Sequence, residues 1–132
     1  MSITITPFLR NALTIDAIVS AVAGVGMAAG GWLLAPLLDL PQSLLFWAGL
    51  SLFPWAAVLF TMARRETVAR LVLIDIIAVN ALWVAGSFGL LVSGAVEPTA
   101  LGYAFVIAQA LAVAFFTKLQ IIGLRRSGRV AA

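Results

Sequence analysis

Cysteine and histidine are both absent from this 132-residue chain, and only 10% of its residues carry a charge. Without Cys there is no disulfide, thiol nucleophile or cysteine-ligated cluster. Without His there is no imidazole base, His-ligated haem or ordinary zinc site. Thiol and haem redox chemistry and most hydrolytic mechanisms are excluded together. What fills the chain instead is apolar: 64% of residues are hydrophobic, and the mean hydropathy is +1.16. Such a chain belongs in a bilayer. Its length suits one domain, residues 1–132, in which four crossings of about 20 residues each leave little for loops.

Four apolar runs have spanning length, roughly Phe8 to Leu34, Leu44 to Met62, Val68 to Val92 and Leu101 to Leu124. A membrane barrel would need alternating strands of about ten residues, whereas Leu44 to Phe60 is apolar on every side, so the runs are read as helices. The expected fold is an all-α membrane protein, a four-transmembrane-helix bundle. Thr6-Pro7 reads as a cap and first-turn proline, and Pro41 and Pro98 stand just before the second and fourth helices. Pro54 lies inside the second helix, where it frees a carbonyl that Ser51 or a neighbouring helix is expected to satisfy.

The eight basic residues are Arg10; Arg64, Arg65 and Arg70; and Lys118, Arg125, Arg126 and Arg129. The loops around Asp39 and Glu97 contain none. The positive-inside rule then places both termini and the middle loop in the cytoplasm. A signal peptide is the competing reading of the first run, because Arg10, an apolar stretch and Ala21-Val22-Ala23 resemble a cleavage pattern, but Asp16 interrupts it. The net charge of +3 and pI near 10.7 suit anionic lipid headgroups at the cytoplasmic face. No soluble domain or aromatic interleaving is available to hold nucleic acid.

Sliding the chain so that Ile15-Asp16 meets Ile74-Asp75 also brings Ile18 onto Ile77, Val25 onto Val84 and Gly30 onto Gly89. A shift two residues smaller brings Pro41 onto Pro98 and Leu44 onto Leu101. These matches read as two parallel helical-hairpin repeats. Gly26 and Gly30 form a small-residue step in helix 1, and Ala81, Ala85 and Gly89 form a stripe in helix 3. Either these faces cross closely at the pseudo-axis, or they reflect the abundance of Ala and Gly.

Ionisable and amide side chains within apolar spans are the candidates for function. They are Asp16, Asp75, Asn80, Gln109 and Lys118, with Ser20, Ser51 and Trp83 nearby. Asp16 and Asp75 are placed a turn or two inside the cytoplasmic boundary. Either each caps a packing arrangement, by bonding to a neighbouring helix or pairing with a basic residue, Lys118 being the obvious partner, or they bind a proton, a cation or a cationic solute. Asn80 and Gln109 bond between helices or face a common cavity. Two carboxylates with no neighbouring ligands make a poor metal site, so no metal, cofactor or catalytic residue is assigned.

Leu13-Thr14-Ile15-Asp16, Leu40-Pro41, Val79-Asn80-Ala81-Leu82-Trp83, Pro98-Thr99-Ala100-Leu101-Gly102, Ala108-Gln109-Ala110, Leu119-Gln120 and Gly123-Leu124-Arg125-Arg126 cover nearly the whole chain. Together they resemble a set of small bacterial four-helix integral membrane proteins of uncharacterised function. The resemblance implies a multi-pass protein of the bacterial inner membrane and transfers no substrate or site. The expected function is a non-enzymatic accessory, scaffold or assembly component, alone, as a homo-oligomer or within a larger membrane complex. The alternative is a small proton- or cation-coupled transporter or channel working as an oligomer.

Overall fold

The computed structural model describes residues 2–131, with side chains through Arg126, so the side chain of Arg129 lies outside the described part. The order is β1 (Ser2–Thr4), α1 (Pro7–Ala29), α2 (Gly31–Leu38), α3 (Gln42–Ala63), β2 (Thr67–Ala69), α4 (Arg70–Val92) and α5 (Ala100–Ala131). Four of the helices, Pro7–Ala29, Gln42–Ala63, Arg70–Val92 and Ala100–Arg126, are long and apolar enough to cross a membrane.

Local chemistry sets the helix ends. Thr6 Oγ1 accepts from the Leu9 N–H at 3.2 Å, and Pro7 fills the first turn. The first apolar run was expected to continue to Leu34, but it breaks at Gly30-Gly31, a pair of the weakest helix formers short of proline. Gly30 closes α1 by donating to Gly26 O at 2.9 Å, and the separate α2 ends on Asp39 in the left-handed region at φ 52°. Pro54 does lie inside α3, but the expected partner differs: Ser51 Oγ donates to Ala48 O at 2.7 Å rather than to the carbonyl that proline frees.

The short strands are a departure from the helical reading. Ser2–Thr4 pairs antiparallel with Thr67–Ala69, Ile3 opposite Val68, and Ile5 N–H extends the ribbon to Glu66 O at 2.9 Å. Val68 was expected to open the third helix; instead it is the buried centre of β2, and α4 begins at Arg70. Ile3, Ile5 and Val68 turn inward onto Leu9, Leu13 and Leu73, closing the arginine-rich end of the bundle with an apolar plug. Arg10 ties α1 to the end of α3 there: its Nε donates to Ala63 O at 2.9 Å and its Nη2 to Arg65 O at 3.1 Å, satisfying carbonyls that a helix terminus leaves open.

A second buried cluster, Leu38, Leu40, Leu45 and Val106, closes the opposite end. Thr99 fastens it, donating from its N–H to Leu38 O and from its Oγ1 to Leu37 O. Gly102 packs so tightly on Leu38 O that a Cβ there would collide with it.

The helices pack in the spatial order α3, α1, α5, α4. The closest seam is between α1 and α3, where a Cβ on Gly49 would lie 2.7 Å from Ala28 N and 2.9 Å from Gly24 O. The crossing expected at Gly26, Gly30, Ala81, Ala85 and Gly89 is not made within the chain. Gly26 and Gly89 have open space where a Cβ would stand, Ala81 and Ala85 are exposed, and Gly30 serves as the helix break. α3 and α4, consecutive in the chain, make at most glancing contact, which leaves a cleft between them.

Candidate functional site

At the inner edge of the first apolar plug, between its members Leu13 and Ala17 on α1, side chains from three helices meet on Asp16. Nine residues beyond the first residue of α1, it lies about 13 Å along the axis at ~1.5 Å per residue, deeper than the turn or two expected. Asp16 is 2% exposed, Asn80 on α4 is 3% exposed and Gln120 on α5 is fully buried. Asp16 Oδ2 accepts from Asn80 Nδ2 at 3.1 Å and from Gln120 Nε2 at 2.7 Å. Asn80 Nδ2 also donates to Gln120 Oε1 at 3.0 Å, closing a triangle. Among the described residues Asp16 Oδ1 receives only Ser20 Oγ, one helical turn on, at 3.3 Å.

A second polar cluster ties α4 to α5. Trp83 Nε1 donates to Gln109 Oε1 at 2.7 Å, while Gln109 Nε2 donates to Ser87 Oγ at 2.9 Å and to Val106 O at 2.8 Å. Ser87 Oγ in turn donates to Trp83 O at 2.7 Å. Every donor and acceptor on Gln109 is engaged, so the amide holds the Trp83 ring in one orientation.

Both clusters border one cavity of about 290 Å³. Asp16, Ser20 and Asn80 line one end of it, Trp83 and Gln109 its middle, and Met27 and Phe105 its other end. Trp55 and Phe116 supply further aromatic wall. The cavity occupies the cleft between α3 and α4, with α1 and α5 behind it. Val79 on α4, Ser51 on α3 and Val19 on α1 line it and are exposed, so the cavity is not sealed from the surroundings of the bundle.

Of the five expected site residues, the structure brings Asp16, Asn80 and Gln109 to this cavity and leaves two outside. Asp75 and Lys118 are exposed, and among the described residues neither forms an ion pair with the other or with Asp16. Of the two structural readings, Asp16 follows the bond to neighbouring helices, through Asn80 on α4 and Gln120 on α5 with Ser20 as a third neutral donor, and the pairing with Lys118 is not made. The two aspartates aligned by the internal repeat have unlike surroundings, one buried and one on an outer face.

Gln120 and Ser87 were not among the expected site residues. A helical signal for Gln120 was present: it stands eleven residues after Gln109, three turns on, and shares a face with it, Val113 and Phe116. Ser87 stands one turn after Trp83 in the same way. Comparison of the chain with family models, curated proteins and solved structures gave no match in any of the three.

Proposed function

We propose that this chain is a small multi-pass carrier of the bacterial inner membrane, both termini cytoplasmic, that couples a solute to a proton or cation at Asp16. The observation carrying this reading is a buried carboxylate bordering a cavity between the helices, with no cationic side chain among the described residues paired to it. A charge in hydrocarbon is costly, and buried acids in spans are characteristic of ion and proton pathways. The exposed lining residues and the sparse contact between α3 and α4 support access from the bilayer. The bunching of Arg10, Arg64, Arg65, Arg70, Arg125 and Arg126 around one end supports the orientation. The parallel-hairpin duplication is proposed from the aligned sequence offsets alone.

The test is ion exchange in reconstituted vesicles with an entrapped pH dye, under outward gradients of sodium, potassium and quaternary ammonium salts in turn. At least one gradient is expected to move protons about fivefold faster than in protein-free vesicles, and Asp16→Asn to return the rate to background. Decay of every gradient at the protein-free rate, or full exchange by Asp16→Asn, overturns the reading.

A separate observation favours the accessory or oligomeric role. Asp75 lies five residues into α4 on an outer face, and Gly86, three turns on and aligned with it, has nothing within 4 Å of a Cβ position. A second copy, or a partner within a larger membrane complex, would cover that acid. Because the chain has no native Cys, single-cysteine cross-linking is clean. Gly86→Cys is expected to form a disulfide-linked pair in native membranes, and Gly26→Cys, on the other side of the bundle, is not. Failure of Gly86→Cys to cross-link removes self-association through this face.

A further inference from the structure

We propose that the cavity binds a compact aromatic ammonium ion, its cationic head against Asp16 Oδ1 and its body among Trp55, Trp83 and Phe116. The proposal rests on the carrier reading above and names the solute.

The polar groups select the charge. Asp16 Oδ2 already accepts two amide donors, but Oδ1 has only the 3.3 Å contact with Ser20, so its remaining lone pairs are available. Among the described residues no other titratable side chain faces the carboxylate. On α1, Arg10 is held by the Ala63 and Arg65 carbonyls; α3 contributes no titratable residue; on α4, Arg70 and Asp75 are exposed; on α5, Tyr103, Lys118, Arg125 and Arg126 are exposed. The missing positive charge therefore comes from a proton or from a guest.

The remaining lining selects the kind of cation. Trp83 and Gln109 spend their polar atoms on each other, Ser87 and Val106, and Ser51 spends its hydroxyl on Ala48 O. A guest that must be read by several hydrogen bonds finds no match. A hard inorganic cation finds too few oxygens, since such ions seek six or more ligands. An ammonium head needs one carboxylate and is further attracted by indole and phenyl faces. About 290 Å³ is the room of about ten waters at ~30 Å³ each, which sets the guest at about ten non-hydrogen atoms. Arrival through the α3–α4 cleft requires that the guest partition into lipid, which an aromatic body provides.

Benzyltrimethylammonium has this shape and a permanent charge, and neopentylbenzene is its uncharged carbon isostere. Binding of each to the full chain in vesicles is followed by quenching of tryptophan fluorescence. Saturable binding of the ammonium is expected, with no saturable binding of the isostere. Asp16→Asn should weaken the ammonium by at least about tenfold, and Trp55→Leu by about three- to tenfold through loss of a cation–π wall. Since the probe does not titrate, protons compete only at Asp16, and affinity should fall with falling pH toward tenfold per unit. The pH profile and Trp55→Leu keep the test decisive if Asp16→Asn does not fold. Equal binding of the isostere, pH-independent binding, or unchanged binding by folded Asp16→Asn overturns the proposal. Binding without proton exchange would retain the ligand class and reject the carrier; sodium or potassium exchange without ammonium binding would do the reverse.

Discussion

Gly49→Val is expected to destabilise the bundle by about 2–3 kcal/mol, the upper part of the range for forcing extra methyl groups into a filled space. A Cβ would meet Ala28 N at 2.7 Å, Met27 Cβ at 2.8 Å and Gly24 O at 2.9 Å, two backbone atoms and one bonded directly to backbone, none of which can step aside as the far end of a flexible side chain could. α1 and α3 must separate instead, and the separation is shared along the closest helix pair in the molecule. Gly26→Val is the matched control: a Cβ there meets nothing within 4 Å, and its effect should stay within about 0.5 kcal/mol. Unfolding by a denaturing detergent, followed by tryptophan fluorescence, measures both. Equal stability of Gly49→Val and Gly26→Val would mean that α1 and α3 do not approach this closely.

The second large effect falls on Asn80, whose single amide nitrogen serves two acceptors. Hydrogen bonds between membrane helices average about 0.6 kcal/mol each, so the two bonds lost in Asn80→Leu account for about 1 kcal/mol. The larger part comes from what is left behind. Gln120 Oε1 becomes a buried acceptor without a donor, and Asp16 Oδ2 retains only Gln120, which raises the expected loss to about 2 kcal/mol or more. Replacing Asp16, Asn80 and Gln120 together by leucine strands no amide or carboxylate, and the Ser20 hydroxyl, losing Asp16, can turn to the backbone carbonyl one turn back. Stability should then return to within about 1 kcal/mol of the parent, because an apolar core of similar volume substitutes well for a buried polar network. Cation binding and proton exchange should be absent from the triple variant. Such a result would separate the role of the cluster in function from any role in holding the fold. A triple variant no more stable than Asn80→Leu would instead mark the network as a structural requirement.

The spans were legible because hydrocarbon demands length and apolar character, and Leu44 to Phe60 satisfies both without reference to any partner. Thr6-Pro7 marked its helix start for an equally local reason. Gly30-Gly31 is a local signal too, but the unbroken apolar run through Leu34 masked it, since hydropathy registers burial in lipid and not continuity of the backbone. The ribbon is non-local: Ser2-Ile3-Thr4-Ile5 alternates as a strand should, yet its partner lies more than sixty residues away. At the site, Asp16 and Asn80 were conspicuous because acids and amides are rare in spans. Gln120 was overlooked so close to the basic end of its helix, although its spacing from Gln109 places it on the inner face. The direction of Asp75 could not follow from its match to Asp16. Which side of a helix faces its neighbours depends on how all the helices are arranged, and the unequal seams α1–α3 and α3–α4 set that arrangement.

The pairing of Ser2–Thr4 with Thr67–Ala69 has a consequence for how the chain is made. The ribbon joins a segment ahead of α1 to one behind α3, so both must emerge on the same side of the bilayer, with an even number of crossings between them. Had α1 and α2 each crossed, the strands would stand on opposite sides and could not meet. The clasp therefore assigns α2 to one leaflet. It also imposes a sequence of events: the segment ahead of α1 has no strand partner until Ala69 leaves the ribosome. The clasp cannot close before that point, and Asn80 and Gln120, which bond to Asp16, lie still further along the chain.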